Sequence, residues 1–179
     1  FELLRGQSMK NFNEDVVREF GRKYLAAKQD KTPADELYIE AQMLRSEMIS
    51  IGARAQNVEE RERIFTKLSR LRERFKNVAH PLAEYWYHHA WAQYYAALHE
   101  GEDFAEHMLG HLLKTLEICN NSPQICKGGE RAFTVSKIAE AYYGESDFQK
   151  AFEMYDGLFK SGDIESQKRF YHTTKFVQI

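Results

Sequence analysis

The chain has 179 residues, 43% hydrophobic and 29% charged, with a formal net charge of −2. That is the composition of an ordinary globular chain with a real core. The charge gives no broad attraction to nucleic acid or an anionic membrane, and no apolar run approaches the roughly 18 residues of a membrane span.

Strand signals are nearly absent: there are no alternating β-branched runs and no Asn-Gly hairpin turns. The expected fold class is all-α. A first helix is expected from Asn13, its cap, to Lys28, with Val16, Phe20 and Tyr24 forming its apolar face. Thr32-Pro33 reads as a cap followed by proline at the first helical position, where the missing N–H costs nothing. The helix it opens runs to about Arg54, with Leu37, Ala41, Leu44, Met48 and Ile51 in line.

A third helix, Val58 to Val78, buries Ile64, Leu68, Leu71 and Phe75. It also carries the run EERERIFTKLSRLRERFK, in which Arg61, Arg63, Lys67, Arg70, Arg72, Arg74 and Lys76 alternate with Glu59, Glu60, Glu62 and Glu73. Such a run would suit an acidic partner or nucleic acid, but charges three and four apart read first as a solvated face laced by pairs.

Pro81 opens a fourth helix to Glu100, stopped by Gly101. It has Leu82, Trp86, Ala90 and Ala97 on one side and Tyr87, Trp91, Tyr94, Tyr95 and Leu98 on another. A helix apolar nearly all round is covered on more than one side. Further helices are expected at Asp103–Cys119, from the Asn-Asn-Ser-Pro break to Tyr143, at Asp147–Lys160, and from Ile164 onward. Short connections make neighbours antiparallel.

Cys119 and Cys126 stand too few and too far apart for a structural zinc site. They are expected as two reduced thiols near a loop, with a disulfide as the alternative in an oxidising compartment. Gly128-Gly129 lacks the Lys-Ser/Thr of a phosphate loop and reads as a plain loop. No cofactor is expected.

The segment KIAEAYYGESDFQKAFEMY carries the strongest pattern. Val135, Ile138-Ala139 and Tyr142 precede a Gly-Glu-Ser-Asp break; Ala151, Tyr155 and Leu158 follow it. Small residues allow two helices to approach, and large ones fill the space beside them. The spacing resembles the tetratricopeptide repeat, a helix–turn–helix unit of about 34 residues. A weaker second copy places Trp91-Ala92 and Tyr95 before EGEDFAEHMLGH, with His107 where a small residue is usual.

The resemblance implies one domain over 1–179, with antiparallel hairpins stacked as a right-handed superhelix and its clearest repeats at about 85–120 and 131–162. It also implies a non-enzymatic scaffold or sensor that binds a protein or peptide, such as the regulatory part of a larger cytoplasmic bacterial regulator. By the same resemblance Phe133, Ser136, Glu140 and Tyr143 line the peptide groove. Family members that clamp a terminal carboxylate use Lys and Asn there; Ser136 and Glu140 point to an apolar or basic segment instead. The alternative is that Phe133 and Tyr143 pack on a neighbouring repeat. A start at Phe1 and an end inside a helix fit a piece of a longer array, whose uncovered ends would also allow self-association.

The competing function is a metal site or enzyme. His107 and His111 lie four apart on one helix, and Glu84 and His88 share that spacing on the preceding one. Convergence of His107, His111 and Glu84 would favour it; packing of the histidines on Trp91 and Tyr95 would not.

Overall fold

The computed structural model describes residues 14–52, 58–74, 76–98, 104–126 and 129–162. Among these residues the chain is all-helical, with seven α-helices and one 3₁₀ turn. The expected Asn13 cap, the Gly101 stop, Asp103, Phe75, Gly128 and the helix from Ile164 fall outside the described residues. So do the side chains of Ile51, Ala97 and Leu98. The helices are α1 (Glu14–Ala27), α2 (Pro33–Gly52), α3 (Val58–Arg74), α4 (Pro81–Leu98), α5 (Phe104–Asn121), α6 (Glu130–Gly144) and α7 (Phe148–Ser161). The chain divides into two compact units, 1–108 and 109–179.

The prolines set helix starts as their chemistry dictates. Thr32 caps α2: its Oγ1 accepts the Asp35 N–H at 3.3 Å, and Asp35 Oδ2 accepts the Thr32 N–H at 2.8 Å. This is a reciprocal capping box with Asp in the place of Glu. The Lys28 ammonium, 2.5 Å from Asp35, and the Thr32 N–H together hold the Asp35 carboxyl down to about 2. At α4 the His80 ring accepts the Ala83 N–H at 3.4 Å, so His80 serves as the cap before Pro81.

In the first unit α2 is the central rod, packing on α1, α3 and α4. Leu37, Ala41, Leu44 and Met48 are buried along the expected stripe, and Ile39 is buried on a second face. The apolar face of α1 turns one position from the expected Val16, Phe20 and Tyr24. Val17 and Gly21 are its buried residues, and the expected three are half-buried. Gly21 lies on the face turned toward α2. A Cβ there would lie 2.7 Å from Met43 Sδ and 3.1 Å from Ile39 Cγ2, so a larger residue would have to push the Met43 side chain aside for α1 to sit this close to α2.

α3 contributes Ile64, Leu68 and Leu71, all buried, each worth about 1.5–3 kcal/mol of transfer from water. α4 is buried on several sides, as an all-round apolar helix must be: Tyr85, Trp86, Tyr87, Ala90, Trp91 and Tyr94 are all in the core. Phe65 of α3 meets Trp91 edge-on at 5.4 Å, while Arg45 lies over Trp86 and Arg72 over Tyr87. Burial pushes the Tyr87 and Tyr94 hydroxyls above their ordinary range.

In the second unit the α6–α7 hairpin forms around the residues of the repeat pattern. Ala132, Val135, Ala139, Tyr155 and Leu158 make one core cluster, with Leu116 and Met154 packed against it. Ala139 and Ala151 are both fully buried, as a close helix–helix approach requires. The turn is built from the backbone outward. Ser146 adopts φ 61°, its N–H bonds the Tyr143 carbonyl, and the Asp147 N–H bonds the Tyr142 carbonyl. These two bonds close α6 in a Schellman motif, with serine in the left-handed position that glycine usually holds. Asp147 then caps α7 by accepting the Lys150 N–H at 3.2 Å. One residue thus ends one helix and begins the next, which fixes the hairpin angle.

The cysteines, expected as reduced thiols, form a disulfide between Cys119 and Cys126. α5 continues to Asn121, and the 3₁₀ turn Pro123–Ile125 folds the chain back, bringing the two Cα atoms to 5.5 Å. Pro123 therefore opens this turn rather than the expected long helix; α6 starts at Glu130, after Gly129 in a left-handed conformation. Closing so short a loop is worth about 2 kcal/mol in the chain-entropy account. Dithiothreitol, or Cys119→Ser, is expected to lower the stability of the second unit by that amount. The check is the urea midpoint of the full chain with and without reductant; an unmoved midpoint would show that the bridge is not closed in solution.

Candidate functional site

The four expected groove residues lie on α6 and fare differently. Phe133 and Tyr143 are each 43% exposed, against a core in which Tyr85, Trp86, Tyr87, Trp91, Tyr94 and Tyr155 are buried. Glu140 is half-buried and takes a 2.7 Å ion pair from Lys137, one turn before it on the same helix. Ser136 does not reach a groove. It is 3% exposed, and its hydroxyl lies 3.2 Å from that of Tyr155 on α7. Position 136 faces the hairpin partner, and a hydroxyl there satisfies the phenol that fills the core. Burial raises the Tyr155 hydroxyl above its ordinary range, against the bond from Ser136.

Two residues that the groove expectation omitted extend the exposed surface. Phe148 and Phe152, one turn apart on α7, are 49% and 44% exposed. The Phe148 ring meets Tyr143 edge-on at 5.3 Å across the turn. Lys137 lies over the Phe133 ring at 5.9 Å. The signal for Phe148 was present in the sequence: an aromatic residue directly after the Asp147 cap lies on the first turn of α7, beside the end of α6.

The histidine alternative meets a different environment. His107 stacks on Tyr95 at 5.1 Å, with the rings 23° from parallel. The His111 carbonyl accepts the Thr115 hydroxyl at 2.8 Å within α5. Glu84 is half-buried on the first turn of α4. Among the described residues no three His, Cys, Asp or Glu side chains gather closely enough to hold a metal ion. Nor, among these residues, is any helix long and apolar enough to cross a membrane.

A cleft of about 510 Å³ lies in the first unit, where α1 and α3 both pack on α2. Each helix supplies one stripe of side chains at helical spacing. From α1 come Arg18, Arg22 and Leu25; from α2, Glu40, Met43, Leu44 and Glu47; from α3, Lys67, Arg70, Leu71 and Arg74. Both carboxylates are engaged. Glu47 accepts from Arg63 and from Lys67, the latter at 3.1 Å, and Arg74 bonds Glu40 at 3.0 Å. Burial nevertheless pushes the Glu40 carboxyl upward, against the pull of Arg74. Arg18 is held by Asp15 at 3.0 Å. The basic run of α3 stays largely exposed, as expected, and Arg63 pairs with Glu60 one turn away; Arg63, Lys67 and Arg74 also reach the carboxylates of α2, and Arg72 lies over the Tyr87 ring.

No protein-family model matches the chain, and neither a curated protein nor a solved structure is similar to it.

Proposed function

We propose that the chain is a non-enzymatic helical module that binds a protein or peptide through the α6–α7 hairpin, stacked in the tetratricopeptide manner. The observation that supports this reading is the exposure of Phe133, Tyr143, Phe148 and Phe152 on one hairpin, in a chain whose other described aromatics, Phe65 excepted, are buried or half-buried. Exposed aromatic rings are costly in water and characteristic of recognition surfaces. Burial of Val135, Ile138, Ala139, Ala151, Tyr155 and Leu158 at the repeat's packing positions supports the hairpin geometry. Glu140 beside the rings favours a segment with apolar and basic side chains.

The test is selection of the full chain against a displayed random-peptide library. Peptides bearing aromatic or aliphatic residues next to Lys or Arg are expected to be enriched. Tyr143→Ala with Phe148→Ala is expected to weaken them about tenfold or more, the loss of roughly one buried anchor. Enriched peptides that bind this variant as well as the parent chain would place recognition elsewhere.

A further inference from the structure

We propose that the cleft walled by α1, α2 and α3 binds a small amphipathic anion, independently of the α6–α7 surface. Its acidic group would meet Arg22 and Arg70, and its apolar body would lie on Leu25, Met43, Leu44 and Leu71.

The charges carry the argument. The cleft holds five cations against two carboxylates. Glu40 and Glu47 are already bonded to Arg74, Arg63 and Lys67, so they do not neutralise the remaining guanidinium groups. Arg22 and Arg70 line the cleft with no ion pair among the described residues. Each presents a planar fork of donors suited to a carboxylate or phosphate. Between these cations the floor is apolar, and the Met43 thioether can adapt to the shape laid upon it. A volume of about 510 Å³ falls within the range of about 300–1,000 Å³ typical of small-molecule sites. An apolar floor beneath unpaired cations selects a ligand with both features: a neutral apolar molecule leaves the guanidinium groups unused, and an inorganic anion leaves the floor wet.

The probe is anilinonaphthalene sulfonate, read by its fluorescence on the full chain, with the uncharged phenylnaphthylamine as its counterpart. The sulfonate is expected to saturate one site at low ionic strength, to weaken with salt, and to bind about tenfold or more tighter than the neutral compound. Arg22→Ala with Arg70→Ala, two exposed positions that leave the core untouched, is expected to remove most of that difference with the circular dichroism unchanged. Phe148→Ser with Phe152→Ser is expected to leave sulfonate binding as it was. Displacement by decanoate or by decyl phosphate then separates a carboxylate ligand from a phosphate ligand. Equal affinity for the two dyes, wild-type binding by the double arginine variant, loss in the phenylalanine variant, or displacement by neither anion would each overturn the proposal.

Discussion

Tyr155→Ala is expected to cost about 3–5 kcal/mol, the range for truncating a large buried aromatic side chain. Tyr155 is 1% exposed and sits in the cluster that joins α6 to α7, so its removal opens a cavity at the centre of that cluster. A small unit has only about 5–15 kcal/mol in hand. The variant should therefore lose much of the helical structure of the second unit at room temperature or unfold at much lower urea. The two tryptophans give a clean readout, because Trp86 and Trp91 both lie in the first unit. Circular dichroism reports on both units, and tryptophan emission reports on the first alone. Loss of ellipticity at unchanged emission is the expected pattern. Tyr155→Phe keeps the ring and is expected to cost only about 1 kcal/mol, the hydrogen bond to Ser136. A cost below about 1.5 kcal/mol for the alanine variant would show that the hairpin does not depend on this side chain.

The contrast between Tyr155 and Arg70 shows what a linear reading can reach. Tyr155, Ala139 and Ala151 follow one another at fixed spacing across a short turn, so local geometry alone brings them together. The caps at Thr32 and Asp147 are likewise local, and both helix starts were legible. Where the partner lies on a distant helix, the pattern becomes ambiguous. The buried face of α1 lies one position from the stripe of Val16, Phe20 and Tyr24, because nothing in that stripe tells that the second helix packs against Gly21. Ser136 reads as a polar groove residue until Tyr155 is seen to need its hydroxyl. The charges of α3 have the same periodicity whether they face solvent or a cleft, and only the approach of α1 brings Arg22 to the same cleft as Arg70. The disulfide was hidden for a related reason: the chain reversal at Pro123 is a three-residue turn, short enough to be read as the beginning of α6.

Arg63→Met with Lys67→Met is expected to destabilise the first unit by about 3 kcal/mol, and Glu47→Met added to that pair is expected to restore most of the loss. Glu47 is 7% exposed, while Arg63 and Lys67 keep nearly half of their side chains in water. The asymmetry decides the outcome. Deleting the carboxylate frees two cations that already reach solvent. Deleting the cations leaves a buried carboxylate without its two donors, and its desolvation is no longer offset. A loss of that size should lower the melting temperature of a unit of this length by about 15 °C. The triple variant replaces the network with apolar side chains on packed helices, which typically matches or exceeds the stability of a buried ion pair. If the double variant melts as the parent does, Glu47 is hydrated in solution through the cleft it lines, and the cation network holds that wall in place without contributing to folding. If the double variant falls and the triple variant falls equally, the methionines themselves disturb the packing of α3 on α2, and the electrostatic account is wrong. Recovery in the triple variant alone identifies the uncompensated carboxylate as the cause.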